Sequence, residues 1–403
     1  MVFIGLAAAQ GATALALVVV ARRVAAVGYG QYLASYGLAS LLVVLAGLGL
    51  DQWLLAKALP ASDRVVNLWR CAIHQRLRLL FLWLPAVVVF SFLLPKDQFP
   101  PSLLILSAIG LAADSLSSLS YVALRRLDSH RSVTVFQILG ALMLLGGTLV
   151  LPLSGDPLLE FALFRTFISL GLAVGSLWWM LAASGHLRSE VNTEAPLHEA
   201  RPFFVAEIAV AVYMRADLTI VAMMLGAESA GVYGPALNLV NMCFLLPYAL
   251  YLLVVPILAR RFSGSRRLYL HLGTRQATAQ GAIGALMAVV LFVLATPVID
   301  LIFGPEYAAS ARIIRLLSPL LVFKSLSFGF GALLSTAGQQ ARRTSIQIGI
   351  AAFSVVMNLA VIQRWGIDGV ASIYVLSEML LCLGYLLLVV QWRRSLAPRA
   401  DIT

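Results

Sequence analysis

The sequence predicts an all-α, polytopic membrane protein of about twelve transmembrane helices, with no soluble domain large enough to be an enzyme by itself. Three observations lead to this fold class. The 403 residues are 61% hydrophobic and only 12% charged, whereas about a quarter of the residues in soluble domains are charged. Apolar runs of about 18 or more residues, each long enough to cross a ~30 Å hydrocarbon core, recur along the chain. The basic residues are concentrated between these runs.

Twelve apolar runs are predicted to be transmembrane helices. The first has no basic segment before it and no evident cleavage site, so it is predicted to be a helix and not a signal peptide. In chain order the runs cover residues 2–20, 31–50, 79–95, 102–123, 133–153, 158–183, 202–225, 231–258, 278–299, 313–335, 345–363 and 367–391.

The distribution of basic residues predicts the orientation of the chain. Of the 29 lysines and arginines, twenty fall in the even-numbered loops and the C-terminal tail, six in the odd-numbered loops and three within the spans. Cytoplasmic loops of membrane proteins carry the excess of Lys and Arg. We therefore expect an inner-membrane protein with both termini in the cytoplasm. The net charge of +11 then serves membrane orientation, and nucleic acid is not expected as a partner.

The basic segment 62–78 has two interpretations. Its apolar and basic positions alternate at helical spacing, as in a helix that lies on the anionic inner leaflet. The same pattern fits a transmembrane helix that continues into the cytoplasm, and we favour this second interpretation.

Internal repetition predicts that the chain contains two copies of one six-helix unit. Residues 27–45 and 230–250 each place a short element with glycines around a tyrosine at the start of an even-numbered helix. Residues 124–142 and 334–352 each place a basic turn before a helix that carries a glutamine near its start. The two offsets agree within the variation of loop length.

The repeat predicts two pseudo-symmetric six-helix bundles, residues 1–190 and 200–403, around a central cavity. An even number of helices per repeat gives both halves the same topology. Transporters built from such repeats place a substrate path at the interface between the halves, although a repeat can also be purely architectural.

Three basic residues within predicted spans are candidate substrate-binding residues. Arg165 lies about 10 Å below the outer surface, Arg215 in the outer half of its span, and Lys324 near the midplane, at ~1.5 Å per residue. A charge at this depth is costly unless it faces protein or water, so each is a functional candidate. The planar fork of arginine suits a phosphate or carboxylate, whereas lysine acts as a point charge.

Four acidic residues within the spans are candidates for binding a coupling ion or a proton. They are Asp114, Glu207, Asp217 and Glu378. Asp217 stands about 200° around its helix from Arg215, so the two side chains are expected to diverge. The alternative interpretation is structural, with acids and bases neutralising one another and holding helices together.

Several kinds of chemistry leave no signature in the sequence. Neither a Walker A loop nor a glycine fingerprint for nucleotides is present. The five histidines lie in predicted cytoplasmic loops without metal-ligand spacing, and Cys71, Cys243 and Cys382 are isolated. We therefore expect no metal, no cofactor and no enzymatic activity.

Four segments carry a resemblance to a known family. Residues 217–260 resemble the seventh and eighth helices of polysaccharide and O-antigen flippases, and 20–52 resemble the first two helices. Residues 304–321 are similar to the link into the tenth helix, and 357–380 to the family pattern of an asparagine, a glycine pair and small residues. One departure is Gln363, where the family often has proline. The superfamily also contains lipid II flippases and multidrug-and-toxin extruders.

The resemblance implies a flippase for a polyprenyl-pyrophosphate-linked oligosaccharide, such as an O-antigen or exopolysaccharide repeat unit. Arg165, Arg215 and Lys324 would attract the pyrophosphate or acidic sugars, and Arg22 and Arg23 would assist release. The bundles would expose the path to each side in turn, with the lipid tail left among the membrane lipids. A gradient of H⁺ or Na⁺, or removal of the product by a glycan polymerase or other assembly partner, would supply the energy.

Three other functions compete with this one. A cation-coupled multidrug extruder of the same superfamily is expected to have a cavity dominated by acids. A membrane-embedded glycan polymerase or glycosyltransferase is expected to have a large extracytoplasmic loop. A scaffold of a cell-wall assembly complex would tolerate loss of the intramembrane charges.

Overall fold

The computed structural model describes residues 2–58, 63–150, 155–183, 197–262 and 266–395. These residues form fourteen α-helices and one 3-10 turn, Pro305–Tyr307, and contain no β-strand. The all-α fold class is therefore confirmed for this part of the chain. The helices are α1 (Val2–Arg23), α2 (Ala26–Gly47), α3 (Leu50–Lys57), α4 (Asp63–Leu93), α5 (Pro101–Arg126), α6 (His130–Val150), α7 (Pro157–Ala183), α8 (Leu197–Cys243), α9 (Leu245–Phe262), α10 (Arg266–Val293), α11 (Ala295–Ile302), α12 (Ala308–Leu317), α13 (Leu320–Thr336) and α14 (Gln340–Ser395).

The helices account for the predicted membrane spans. Within the described residues eight helices are long and apolar enough to cross a membrane, or nine when Pro305–Leu317 and Leu320–Thr336 count as one bent span. Two of the eight, His198–Phe262 and Gln340–Arg394, contain 65 and 55 residues. At ~1.5 Å per residue they are about 98 and 83 Å long, so each holds two spans of a ~30 Å core. With α1, the helices match all twelve predicted spans in order.

Two glycines divide these long helices. Gly226 in α8 has φ 91° and ψ 175°, and Gly366 in α14 has φ 57° and ψ −144°. A positive φ costs glycine little because it has no Cβ. The chain therefore turns at both positions, and 197–225 and 227–243 are separate helical arms of α8.

Helix α4 settles the two interpretations of segment 62–78. It runs without interruption from Asp63 to Leu93, which is 31 residues or about 46 Å. This is longer than the hydrocarbon core, so the basic segment continues a transmembrane helix. The favoured interpretation is confirmed.

The described residues divide into two compact units, Met1–Gly234 and Pro235–Thr403. The predicted division into 1–190 and 200–403 concerns the internal repeat, and it stays a prediction. Residues 184–196 lie outside the described residues. They include most of the segment that would link those two halves.

Helix α5 organises the first unit. It packs against α2, α4 and α7, while α1 packs against α6. The buried face of α5 is rich in small residues, among them Ala108, Gly110, Ala112 and Ala113. Small side chains allow helix backbones to approach closely. The resulting van der Waals contact stabilises helix association in lipid, where the hydrophobic effect does not drive it.

Helix α2 and the second arm of α8 meet backbone to backbone within the first unit. A Cβ at Gly30 would lie 1.8 Å from the carbonyl oxygen of Ala227, and a Cβ at Gly231 would lie 1.9 Å from that of Ala26. We call these four residues the glycine contact. Its glycines belong to the two repeated elements at 27–45 and 230–250, so the repeated elements pack directly against each other.

Helix α13 organises the second unit. It packs against α9, α10 and α14. On α10 a Cβ at Gly284 would lie 2.5 Å from the carbonyl oxygen of Leu321, and a Cβ at Gly281 would lie 2.5 Å from the side chain of Leu326. The absent side chains on α10 therefore leave room for α13, and its buried face includes Lys324.

Candidate functional site

Arg165 on α7 is held by two tyrosines of α2. Its Nη1 donates a hydrogen bond to the Tyr32 hydroxyl at 2.9 Å, and its Nη2 donates one to the Tyr36 hydroxyl at 2.7 Å. The guanidinium carbon lies 4.2 Å from the centroid of the Tyr36 ring, close enough for a cation–π interaction. These neutral partners orient the guanidinium without cancelling its charge.

Asp114 on α5 lies on the same side of the first unit as Arg165. Its carboxylate accepts a hydrogen bond from Ser169, one turn after Arg165 on α7. It interacts electrostatically with Arg165, although within the described residues the two form no ion pair. The carboxylate therefore balances part of the field of the guanidinium while leaving its N–H groups to the tyrosines.

Arg215 and Asp217 diverge, as the spacing on their helix predicts. Asp217 is buried and accepts hydrogen bonds from the Tyr233 hydroxyl at 2.7 Å and from the backbone N–H of Leu218 at 2.8 Å. Tyr233 lies beyond Gly226, so this bond ties the two arms of α8 together. Arg215 is exposed, and within the described part of the chain its guanidinium forms no ion pair.

Removal of the Tyr233 hydroxyl is expected to destabilise the protein. The variant Tyr233→Phe leaves the buried Asp217 carboxylate without this donor, and a hydrogen bond to a charged group contributes about 1.5–3 kcal/mol. Thermal unfolding of the purified protein in detergent measures the loss. The control is Asp217→Asn, which keeps an acceptor for the tyrosine and is expected to lose less. Equal stability of Tyr233→Phe and wild type would contradict a structural role for this bond.

Lys324 and Glu378 form a buried ion pair in the second unit. Lys324 Nζ lies 3.0 Å from Glu378 Oε2, and the two side chains are 10% and 0% exposed. Lys324 Nζ also lies 5.5 Å from the centroid of the Phe244 ring. The substrate-binding candidate and the coupling-ion candidate are therefore direct partners, which is the structural alternative considered from the sequence.

Glu207 belongs to a cluster of charges that the sequence did not reveal. Arg76 on α4, only 1% exposed, donates a hydrogen bond to Asp51 Oδ2 at 2.7 Å and another to the carbonyl of Gly47 at 3.2 Å. Glu207 on α8 interacts with both charges and is hydrogen-bonded by the backbone of Gly49. A buried arginine and two carboxylates thus lie near the end of α2, and Arg76 pairs directly with one of them, Asp51.

The sequence placed Arg76 among the orienting charges of a cytoplasmic loop. The signal that could have found it is the helical spacing of segment 62–78, because a continuous helix brings one basic position onto the buried face. Its partner is 25 residues away in the chain, and no local pattern joins the two.

Arg23 lies apart from these clusters. It is exposed at the end of α1, where its guanidinium donates a long hydrogen bond of 3.5 Å to the carbonyl of Leu149. Over the described ranges, no group of three or more His, Cys, Asp or Glu side chains is arranged to hold a metal ion. The roles predicted for Arg23, Arg165, Arg215, Lys324 and the four acids stay predictions.

Comparison with known proteins supports the fold and the family. No curated protein sequence matches the chain. The structure is similar to the lipid II flippase MurJ in an inward closed conformation, with a TM-score of 0.72 and 13% identity over 94% of this chain and 85% of that chain. It is similar to an inward-facing multidrug resistance MATE family transporter of the MOP superfamily, with a TM-score of 0.72 and 12% identity over 96% of each chain. The eukaryotic MATE transporter AtDTX14 has a TM-score of 0.60 and 13% identity, covering 96% and 93%.

These likenesses confirm the predicted fold class. The chain is a multi-pass membrane protein. A family model described as "Polysaccharide biosynthesis protein" matches residues 2–262, which is more than half of the chain. The chain therefore belongs to the polysaccharide biosynthesis protein family.

Proposed function

We propose that this protein is a flippase that carries a polyprenyl-pyrophosphate-linked oligosaccharide from the inner to the outer leaflet of the cytoplasmic membrane. The observation that carries the proposal is a pair of arginines on membrane-spanning helices. Within the described residues, the guanidinium groups of Arg165 and Arg215 form no ion pair. An unpaired charge at this depth costs several kcal/mol unless it meets water or an anion.

The chemistry of the substrate fits these two side chains. A pyrophosphate presents several anionic oxygens, and the planar fork of arginine binds such oxygens in pairs. Arg165 is oriented in advance by Tyr32 and Tyr36, so little side-chain entropy is lost on binding. Membership of a polysaccharide biosynthesis family agrees with a sugar-bearing substrate.

The charge pattern disfavours the drug-extruder alternative. An exporter of cationic compounds needs acids that are available to its substrate. Here Glu378 is paired with Lys324, and Asp217 accepts a hydrogen bond from Tyr233. Among the residues predicted as sites, Arg215 lies deep in a span and is exposed without an ion pair. This side chain is basic, not acidic.

Alternating access is the mechanism that we propose for the transport step. The binding residues would face the cytoplasm to take up the lipid-linked oligosaccharide and then face the opposite side to release it. The polyprenyl tail would stay among the membrane lipids. Uptake of H⁺ or Na⁺, or consumption of the product by a glycan polymerase, would drive net transfer, and both chain termini would lie in the cytoplasm.

Arg215→Ala is expected to reduce glycan export at least tenfold without loss of folded protein. Among the described residues its side chain makes no ion pair, so truncation removes substrate attraction and leaves no orphaned charge there. Arg215→Lys is expected to restore export partly if charge suffices, and poorly if paired contact with phosphate oxygens is required. The measurement is surface glycan, together with the sidedness of the lipid-linked oligosaccharide, in cells that carry each variant.

The matched control is Arg312→Ala, because Arg312 is an exposed arginine already paired with Asp368 at the surface of the second unit. It is expected to export normally. Full export by the double variant of Arg165→Ala and Arg215→Ala would remove both residues from the substrate path. Normal sidedness with unpolymerised repeat units outside would indicate a polymerase instead.

A further inference from the structure

Arg343 at the start of α14 repeats the arrangement found around Arg165. Its Nε donates a hydrogen bond to the Tyr385 hydroxyl at 3.1 Å, and its Nη1 donates one to Ser335 Oγ at 2.7 Å. Tyr251 is a second tyrosine hydrogen-bonded to the guanidinium. The guanidinium carbon lies 5.4 Å from the centroid of the Tyr385 ring. Among the described residues it has no carboxylate partner, so its positive charge is retained.

An aromatic cluster lies beside this arginine. Tyr248 and Tyr251 on α9 stack with their ring centroids 6.2 Å apart and an angle of 13° between the planes. The ring centroid of Phe328 on α13 lies 5.8 Å from that of Tyr248 and 5.9 Å from that of Tyr251. We call Tyr248, Tyr251 and Phe328 the aromatic platform.

The platform lies between two cations of the second unit. Lys324 is one helical turn before Phe328 on α13. The guanidinium carbon of Arg343 would lie 3.3 Å from a Cβ at Gly331, three residues after Phe328. The seven-residue step from Lys324 to Gly331 spans about 10 Å along α13. Lys324, the aromatic platform and Arg343 therefore lie beside successive positions along α13.

The exposed tyrosine of the platform points away from the lipid-facing side of α9. Tyr248 is 39% exposed, whereas Leu246, Leu253 and Ile257 on the same helix are 50%, 52% and 55% exposed. At 100° per residue these three apolar residues stand about 140–180° around the helix from Tyr248. We take this exposed apolar side to face hydrocarbon, which places the tyrosine ring on the other side of α9.

We propose that Arg343 and the aromatic platform form a binding site for the sugar headgroup of the transported lipid. The C–H groups on the flat face of a pyranose ring carry partial positive charge and are attracted to the negative face of an aromatic ring. Arg343 binds an acidic substituent of the same sugar headgroup. This inference rests on the proposed function, and it assigns sugar recognition to the second unit.

The test separates recognition of sugar from recognition of pyrophosphate. Two probes are used, a polyprenyl-pyrophosphate-linked oligosaccharide and the same polyprenyl pyrophosphate without sugar. Binding of each probe to the purified full-length protein in detergent is measured by microscale thermophoresis. Wild type is expected to bind the glycosylated lipid at least tenfold more tightly than the sugar-free lipid. Arg215→Ala is expected to weaken the binding of both.

Tyr248→Ala is expected to remove most of the preference for the glycosylated lipid and to leave binding of the sugar-free lipid unchanged. Tyr248→Phe keeps the ring and is expected to keep the preference. Arg343→Gln, like Tyr248→Ala, is expected to lower the preference for the glycosylated lipid. Leu246→Ala, on the opposite side of the same helix, is the matched control and is expected to behave as wild type. Because Tyr248 is partly exposed, its truncation is expected to leave the fold intact, which thermal unfolding checks.

Three outcomes overturn the inference and remain distinguishable. Retention of the full preference by Tyr248→Ala would refute the platform as the sugar site. Equal affinity of wild type for both lipids would refute sugar recognition while leaving the flippase proposal in place. Failure of wild type to bind either lipid would refute the proposed function and the inference together.

Discussion

Lys324→Met is expected to lower the free energy of unfolding by about 3–5 kcal/mol, the usual cost of breaking a buried ion pair. The substitution removes the ammonium group that pairs with the carboxylate of Glu378, which is 0% exposed within a membrane-spanning helix. Nothing in the hydrocarbon core replaces the lost ammonium group. Thermal unfolding of the purified protein in detergent, with the fraction of monodisperse protein in size exclusion, measures the effect.

Two further variants make this result interpretable. Lys57→Met is the matched control, since Lys57 pairs with Glu199 where both side chains are about half exposed, and such pairs contribute about 0–1 kcal/mol. The double variant of Lys324→Met and Glu378→Met removes both charges and is expected to recover most of the stability. A loss no greater than that of Lys57→Met would contradict the structural role of the pair.

The double variant also decides what Lys324 does for transport. If the ion pair only holds α13 and α14 together, the stable double variant will export glycan as wild type does. If Lys324 binds the substrate, or Glu378 binds a coupling ion, the double variant will be folded but will not export. Glycan export and unfolding measured on the same variant therefore separate the two roles predicted from the sequence.

Gly30→Val is expected to disrupt the glycine contact and to abolish export. A Cβ at this position would lie 1.8 Å from the Ala227 carbonyl oxygen and 2.7 Å from the Gly231 backbone nitrogen. Both obstacles are backbone atoms of one helix, so α2 and the second arm of α8 must separate. Overpacking of a well-packed contact costs about 1–3 kcal/mol, occasionally more. Folded yield, thermal unfolding and surface glycan measure the outcome.

Gly146→Val on α6 is the control, because a Cβ there would meet no atom within 4 Å. It places the same residue in another transmembrane helix and is expected to be tolerated. Gly30→Ala is a milder form of the test and is expected to give an intermediate loss. Normal stability and export by Gly30→Val would show that the backbones are not in contact in the working protein.

The membrane spans were predictable because their cause is local. A bilayer requires a run of apolar residues of fixed length wherever the chain crosses it, and α5, α6 and α7 begin and end close to the predicted runs. The repeated glycine elements were visible as sequence similarity. The divergence of Arg215 and Asp217 followed from the 100° step of a single helix.

The partners of the charges were not predictable, since they depend on which helices become neighbours. Lys324 and Glu378 are 54 residues apart, and Arg165 is 133 residues from Tyr32. Arg343 looked like an orienting charge of a cytoplasmic turn, and only its contacts with Tyr251 and Tyr385 distinguish it from Arg342 beside it.

The sequence by itself determined that this chain is a multi-pass helical membrane protein with charges inside the bilayer, because both features are set by the solvent through which the chain passes. The tertiary structure decided which of those charges are neutralised and which retain their charge. Pairing requires atoms within about 4 Å, and only the packing of distant helices brings a lysine to a glutamate or an arginine to two tyrosines.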